Sequence, residues 1–512
     1  MSQHITRLLA CCLLFALFGA TNAATPQTAT DRSHFPKSYG ILANGHLIHP
    51  IDMGDWPLKI DCTHQLFVDD YLIATMENLE RKLHQAVKHP DNPIMVPDRP
   101  WEKKPTRQGC LMTAVRRDEK TGRFRMWYAG YRAYETSPGK TVVFPSCYAE
   151  SEDGIHWTKP ELGLVEFEGS KKNNIIWPEG WLMLVENPEA DSQPQRRYLG
   201  IVALKPNKPG EGYFLLRSPD GIHWTPDGNE PLALLTNRNQ SGIGDTSQFR
   251  WDPKLQKYIC DAKILFRNPT MRARGFMESD DLRHWTPPRM TIYPDTLDDP
   301  DSQIYGNISF CYESMWLGFL RVMHQRPVSY KQTTVEMTCS RDGRHWSRVG
   351  NREELIPLGA NDAWDAHYHD PIAPILIGDE LWIYYRSTNN ANEKEPQKHG
   401  IGLAKLRRDG FVSLTATDTP GTVTTRPLSF PGKRLFINAD IREGGSVKVG
   451  ILSEKGEPLK GHNINDCVPI TKGAITIPVS WKNAPEFSLP DGSHVRLRFE
   501  LKNADLYSFW FE

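Results

Sequence analysis

The chain has 512 residues and a formal net charge of −1, with 24% charged and 39% hydrophobic residues. A chain of this length can form two or three domains. Its near-neutral charge offers no basic surface of the kind that nucleic-acid binding requires, so the sequence predicts no nucleic-acid partner.

The first 23 residues are typical of a secretory signal peptide. Arg7 precedes an apolar stretch from Leu8 to Ala20, and Thr21-Asn22-Ala23 supplies the small residues of a cleavage site. That stretch is too short to cross a membrane as a helix, and no other segment suggests a span. The sequence therefore predicts a secreted or periplasmic protein. Residues 24–91 are predicted as an N-terminal arm with a strand that leads into the next domain.

A seven-residue phrase recurs four times and predicts a repeat architecture. The copies are SEDGIHW, SPDGIHW, SDDLRHW and SRDGRHW, and their tryptophans, 157, 224, 285 and 346, lie 61 to 67 residues apart. A degenerate fifth copy, RRDGFVS, starts at Arg407. Each copy follows alternating runs typical of strands, and Asp-Gly indicates a tight turn. About four strands per copy predict an all-β fold, with a five-bladed β-propeller over residues 92–416.

The aspartates of the phrase are predicted to hold turns rather than to catalyse a reaction. Asp and Ser side chains satisfy the N–H groups of tight turns, and the tryptophans can pack between blades. This assignment covers Asp153, Asp220, Asp281, Asp342 and Asp409.

The C-terminal region is predicted as a separate small domain. Residues 417–429 are interpreted as a linker. From 430 to 512, runs such as RLFINADI, SVKVGILS and HVRLRFEL alternate and are separated by turn residues, which favours a β-sandwich. Packing and carbohydrate binding are both open as its role.

The candidate site lies at the propeller axis, where the innermost strands of all blades converge on one pocket. The catalytic candidates at the starts of these strands are Asp245, Asp301, Asp365 and His367. The substrate-binding candidates are Arg107, Gln108, Glu186, Gln248, Tyr305, Trp364, Tyr368 and His369. Several carboxylates around one axis repel one another and keep one of them protonated, as glycoside hydrolysis requires. The aromatic rings can stack on sugars, and Arg107 can hold a carboxylate or sulfate.

Two histidines in the last blade leave a metal site open. His367 and His369 are two residues apart, so their side chains would share one face of a strand. Together with Asp365 or Asp370 they could bind a divalent metal such as calcium or zinc at the propeller axis. Either histidine could equally serve as the general acid.

The segment SEDGIHWTKPELG, Ser151 to Gly163, together with five blades and axial aspartates, resembles the five-bladed propeller glycoside hydrolases of families 32, 43, 68 and 117. The resemblance implies that Asp245 and Asp301 match the two inner-strand aspartates of families 43 and 117. It also implies that His367 or His369 is the acid of a family 117-like enzyme. The predicted function is therefore a secreted enzyme that cleaves glycosidic bonds in a poly- or oligosaccharide. A carbohydrate-binding propeller without catalysis and a polysaccharide lyase remain alternatives.

Overall fold

The computed structural model describes residues 57–103, 109–131, 133–137, 140–203, 212–234, 243–266, 271–325, 331–390, 397–482 and 494–512. These residues form strands and loops, with two short 3₁₀ turns at Pro100–Glu102 and Pro194–Arg196. The prediction of an all-β fold is confirmed. The predicted signal peptide lies outside the described residues, and so secretion stays a prediction.

The strands fall into an N-terminal group, five central groups and a C-terminal group. The N-terminal strands are β1 (Leu58–Lys59), β2 (Gln65–Leu66), β3 (Ile73–Glu77), β4 (Glu80–Leu83) and β5 (Val87–Lys88). Unit one contains β6 (Cys110–Arg117), β7 (Phe124–Gly130), the hairpin β8 (Ala133–Ser137) and β9 (Lys140–Val143), β10 (Ser146–Ser151) and β11 (Ile175–Trp177). Unit two contains β12 (Trp181–Val185), β13 (Tyr198–Ala203), β14 (Gly212–Ser218), β15 (Thr225–Pro226) and β16 (Ala233–Leu234).

The remaining strands continue the same pattern. Unit three contains β17 (Gln248–Asp252), β18 (Lys257–Phe266), β19 (Met271–Ser279) and β20 (Arg289–Ile292). Unit four contains β21 (Gln303–Tyr312), β22 (Met315–His324), β23 (Gln332–Ser340) and β24 (Ser347–Arg348). Unit five contains β25 (Tyr368–Pro371), β26 (Ile375–Ile377), β27 (Glu380–Thr388) and β28 (His399–Arg407). The C-terminal strands are β29 (Val412–Ala416), β30 (Gly421–Thr425), β31 (Leu428–Ser429), β32 (Leu435–Ser453), β33 (Ala474–Pro478) and β34 (Val495–Phe511).

The five units form a closed ring of antiparallel sheets. In units one to four the first strand is at one edge of the sheet and the next strands pair outward, apart from the separate hairpin β8–β9 and from β16, which pairs with β14. In unit five both β25 and β26 pair with β27, which pairs with β28. The first strands β6, β12, β17, β21 and β25 each contact a neighbouring unit, and unit five contacts β6 of unit one. One parallel pair, Thr333 with Tyr368, joins units four and five. This is the arrangement of a β-propeller, in which the innermost strands surround a common axis.

The ring is closed by a strand from the start of the chain. Val87 and Lys88 in β5 pair with Lys405 and Ala404 of β28, so that unit five receives its outer strand from the N-terminal segment. The side chain of Asn92 also donates hydrogen bonds to the Leu403 carbonyl (2.9 Å) and the Tyr385 hydroxyl (3.2 Å). The first and last parts of the propeller sequence are therefore held in one sheet.

The C-terminal strands form a ten-stranded sheet that includes the N-terminal strands β1 to β4. Strands β32 and β34 pair along most of their length, while β34 also pairs with β2, β29, β30 and β31. Aromatic side chains such as Phe67, Phe499 and Phe509 are fully buried in its core. Residues 58–83, predicted to lead into the propeller, are thus part of this sheet. The predicted linker at 417–429 contains β30, because its alternating Val and Thr residues pair with β34.

The repeated phrase forms the same turn in its four full copies. In the second copy, Oδ1 of Asp220 accepts the N–H groups of Ile222 and His223, both at 2.8 Å, and Oδ2 contacts the His223 ring at 2.6 Å. Gly221 has φ = 80°, which glycine adopts without strain. Its carbonyl accepts the indole N–H of Trp127 in unit one at 2.7 Å. The phrase therefore fastens one unit to the one before it.

The degenerate fifth copy behaves differently. Asp409 itself has φ = 62° and is buried between the propeller and the C-terminal sheet. It accepts hydrogen bonds from Tyr312 and Ser508 and contacts the His64 ring at 2.6 Å. Asp409 therefore joins two domains and does not close a blade turn.

Replacing Asp220 with alanine tests the turn assignment. The N–H groups of Ile222 and His223 would lose their acceptor, and the partly exposed turn lets water replace it in part. We expect the free energy of unfolding to fall by about 1 kcal/mol, measured by urea denaturation. Asp220→Asn keeps one acceptor oxygen and should lose less. An alanine variant as stable as the parent would contradict the assignment.

Candidate active site

The site is a cavity of about 530 Å³ at the centre of the ring. Side chains from all five innermost strands, or from the turns before them, reach it. Its lining includes Met112, Tyr131, Phe144, Trp181, Met183, Asp245, Gln248, Arg272, Tyr305, Arg321, Lys331, His367, Tyr368, Asp370, Arg386 and His399. Because these residues come from every unit, the cavity exists only in the closed ring.

The first carboxylate in the cavity is Asp245, in the turn before β17. Its Oδ1 accepts a hydrogen bond from the ammonium group of Lys263, and its side chain is 43% exposed. Burial lowers the pKa of Lys263, while Asp245 acts in the opposite direction. Asp245 therefore keeps a fixed cation on one side and a face toward the cavity on the other.

The second carboxylate, Asp370, is held by two arginines. Arg321 donates to its Oδ1, and Arg386 donates to its Oδ2 at 2.9 Å. The same guanidinium groups donate to the hydroxyl oxygen of Tyr368, each at 3.0 Å. Tyr368 and Asp370 are two residues apart in β25, so both face the cavity. Burial, followed by the charge of Asp370, raises the pKa of Tyr368, although both arginines act against this shift.

A third arginine, Arg272, has a different environment. It donates to the side-chain oxygen of Gln303, and its guanidinium carbon lies 5.9 Å from the ring centre of Tyr305. Within the described part of the chain, no carboxylate lies within ion-pair distance of Arg272, whereas Lys263, Arg321 and Arg386 each have one. Arg272 is thus a cation at the cavity wall without an acidic partner among the residues that the structure describes.

Arg274 fixes the floor of the cavity. It is fully buried and donates to the carbonyl oxygens of Thr246 (3.1 Å), Tyr305 (3.3 Å) and Asp261. These contacts join the turn before β17 to β21 of the next unit. Burial lowers the pKa of Arg274 to about 10, so the group stays charged at neutral pH.

Six residues named from the sequence lie together at the cavity: Asp245, Gln248, Tyr305, His367, Tyr368 and Asp370. The main chain of His367 is fixed by hydrogen bonds to Thr388 and Thr333, both at 3.0 Å. These positions agree with the expectation that the starts of the innermost strands converge. Arg107 and Gln108 lie outside the described residues.

Three predicted residues of the last blade lie behind the cavity wall. Asp365 is buried and binds the Lys88 ammonium group at 2.5 Å and the Tyr385 hydroxyl at 3.3 Å, so it fastens the closing strand. Trp364 stacks on Tyr385 with ring centres 5.8 Å apart. His369 is fully buried, with ring nitrogens near the Ser387 hydroxyl and the Pro357 carbonyl. The predictions for these residues are corrected, since β25 begins at Tyr368 and places His369 on the opposite face from the cavity.

Two further candidates also lie away from the cavity lining. Asp301 precedes β21 and is not among the described residues that line the cavity. Glu186 follows the far end of β12, is exposed, and pairs with Arg116. Asp301 lies just before an innermost strand, as expected, whereas Glu186 lies after the end of one, and neither side chain lines the cavity.

The predicted metal ligands do not converge. His369 faces the protein interior, and both oxygens of Asp370 are occupied by arginines. Among the described residues, one group of three could approach a metal: His64, Glu313 and Asp409. It is hydrogen-bonded internally and to Arg408, Tyr312 and Ser508, so its oxygens already have protein donors. These contacts fit a structural connection better than a metal site.

The basic residues of the cavity were missed by the sequence analysis. Lys263, Arg272, Arg321 and Arg386 come from the second and third strands of their units, β18, β19, β22 and β27. Each interrupts a largely apolar run, as in LGFLRVM and WIYYRST. A basic residue inside a buried strand is rare unless it has a partner or a role, and that is the signal that could have found them.

Comparison with known proteins gives weak similarity to solved structures. No family profile and no curated protein match the chain. A glycosyl hydrolase from Bacteroides ovatus is 12% identical, with a TM-score of 0.40, covering 64% of this chain and 94% of its own. A thermostable family-43 glycoside hydrolase is 12% identical, with a TM-score of 0.41, covering 60% and 93%. The β-1,2-mannobiose phosphorylase from Listeria innocua is 12% identical, with a TM-score of 0.40, covering 63% and 97%. At these values none of the three indicates what this chain binds or catalyses.

The sequence predicts no membrane span, and the structure tests this prediction for the described residues. None of the helices found there has the length and apolarity needed to cross a bilayer.

Substitution of Asp365 tests whether this residue holds the closing strand β5 in place. Asp365→Ala would remove the acceptor of Lys88 and Tyr385, and we expect the free energy of unfolding to fall by about 2 kcal/mol in denaturant titration. Asp365→Asn, which keeps the size and one acceptor, is the matched control and should lose less. Equal stability of the alanine variant and the parent would show that Asp365 does not hold the closing strand.

The buried ring of His369 should make the free energy of unfolding depend on pH. Burial lowers its pKa from the ordinary 6.5 to about 4, so the folded protein keeps the ring neutral while the unfolded chain takes up a proton. Stability from this residue is complete above pH 6.5 and is lost as the pH falls toward 4, by up to about 1.4 kcal/mol per pH unit. Relative to the parent, His369→Asn should show a shallower loss in denaturation curves over this range. Identical slopes would contradict the assignment.

Proposed function

We propose that the protein is a glycosidase-like enzyme that acts on a poly- or oligosaccharide in the axial cavity, and that it is exported by its N-terminal signal. The observation that carries the proposal is the convergence of Asp245, His367 and Asp370 from units three and five on one cavity. The volume of about 530 Å³ falls within the range of small-ligand sites and suits a few sugar rings. Aromatic rings at the wall can stack on sugar faces.

The residues have separable roles in this proposal. Asp245 has one oxygen on Lys263 and is partly exposed to the cavity, which suits a general base that takes a proton from the attacking water. His367 supplies a proton to the leaving oxygen as the glycosidic C–O bond breaks. Asp370, whose two oxygens accept hydrogen bonds from Arg321 and Arg386, has a positioning role: it holds the two guanidinium groups at the cavity wall.

A β-elimination reaction is the second candidate. The observation that favours it is the hydroxyl oxygen of Tyr368, which two guanidinium groups would stabilise as a phenolate. Such a base would remove the proton next to a uronate carboxylate, and the bond to the leaving oxygen would break to give an unsaturated sugar. The raised pKa of Tyr368 makes the phenolate harder to form, so hydrolysis is favoured.

The proposal predicts that Asp245→Asn reduces turnover by about 100-fold or more, because the water loses its base. The assay is the release of reducing ends from a panel of plant and algal glycans, with absorbance of unsaturated uronates recorded in parallel. Asp370→Asn should reduce turnover as well, and its folding is checked by thermal melting, since two buried arginines lose their partner.

Glu186→Gln is the matched control, because this exposed carboxylate lies away from the cavity. Full activity of Asp245→Asn would contradict the assignment of the base. An unsaturated product would replace hydrolysis by elimination. Binding without any product from the panel would favour a carbohydrate-binding propeller.

A further inference from the structure

We propose that the saccharide carries an acidic group, a carboxylate or a sulfate, and that Arg272 binds this group and sets the specificity of the cavity. The inference rests on the proposed use of the axial cavity for a saccharide. It adds the chemical class of the ligand and a residue that selects it.

The charges around the cavity are unequal. Among the described residues, the arginines Arg272, Arg321 and Arg386 line the cavity, and Lys263 lies directly behind its wall. They face two carboxylates, Asp245 and Asp370. In a partly enclosed site the excess positive potential is focused on the ligand. A neutral sugar would leave that excess uncompensated, whereas an anionic group would complement it.

The pairing of the cations shows which of them is available. Lys263 is paired with Asp245, and Arg321 and Arg386 share Asp370 and the Tyr368 hydroxyl. Among the described residues, Arg272 donates one hydrogen bond, to the neutral side chain of Gln303, and has no carboxylate within ion-pair distance. A guanidinium has five N–H donors, so most of this group remains for a ligand.

The guanidinium group of Arg272 is also held in place before any ligand binds. Gln303 holds one edge of the guanidinium, and the ring of Tyr305 lies 5.9 Å from its carbon atom. Lys263 and Arg321 lie over the same ring, each at 5.4 Å. Three cations therefore surround the Tyr305 ring, and only Arg272 has no carboxylate partner among the described residues. A planar acidic group can bind such a fork through two parallel hydrogen bonds.

The test compares ligand binding by calorimetry for the parent protein and two variants. The ligands are uronate oligosaccharides, sulfated oligosaccharides, and neutral oligosaccharides of equal length. We expect the parent to prefer one acidic class, and Arg272→Gln to weaken that binding by about 10- to 100-fold, as expected for a lost charged hydrogen bond. Arg272→Lys, which keeps the charge but not the fork, should recover part of the affinity.

Arg217→Gln is the control, because Arg217 is an exposed arginine of β14. It should leave the affinity for every ligand unchanged. Affinity for the acidic ligand should also fall as the salt concentration rises, and this dependence should be weaker in Arg272→Gln.

The two acidic arms identify the source of the charge, since only the correct class should depend on Arg272. The inference is overturned if the parent binds neutral and acidic oligosaccharides equally, or if Arg272→Gln weakens both by the same factor. Acidic binding that depends on Arg272 without cleavage would keep this inference and reject the glycosidase. Cleavage of neutral glycans alone would keep the glycosidase and reject this inference.

Discussion

Closure of the ring is the constraint on which the site depends. The cavity is built from five innermost strands that are distant in sequence, and they share one axis only while unit five contacts unit one. That contact is secured by a two-residue strand, β5, on the edge of β28. The Lys88–Asp365 ion pair and the hydrogen bonds of Asn92 reinforce it. A short N-terminal segment therefore determines whether the residues that line the axial cavity meet.

Positively charged side chains surround the axis of the propeller. Buried guanidinium groups are costly unless they are paired or hydrogen-bonded. Arg274 donates to three main-chain carbonyls, and Arg321 and Arg386 share one carboxylate and the hydroxyl oxygen of Tyr368. These contacts make the wall rigid and leave it positively charged. The cavity wall therefore differs from a simple pair of carboxylates, because its described cations outnumber its carboxylates.

The period of the phrase and the alternating runs around it were sufficient to predict the all-β fold. Because every unit repeats the same strand order, the residues before each innermost strand could be predicted to converge, and Asp245, Tyr305 and Tyr368 do. The prediction for His369 was wrong because the direction of a side chain depends on where the strand begins. His367 lies in the turn before β25, so its neighbour two residues on, His369, faces away from the cavity.

Other features could not be predicted because they depend on contacts between distant segments. No local sequence pattern indicates that residues 58–83 pair with the C-terminal strands. The same holds for the role of Asp365, which was conspicuous as an acid near the axis but has its partner, Lys88, almost 280 residues earlier. Arg272 comes from the third strand of unit three, and Arg321 comes from the second strand of unit four. Their side chains reach the axis only because the strands are packed into sheets.

A crystal structure of the protein with a bound acidic oligosaccharide would test the central claim most directly. We expect a carboxylate or sulfate within hydrogen-bond distance of the Arg272 guanidinium and a glycosidic oxygen between Asp245 and Asp370. A ligand that occupies the axial cavity with its acidic group turned away from Arg272, or one that binds outside the cavity, would contradict it.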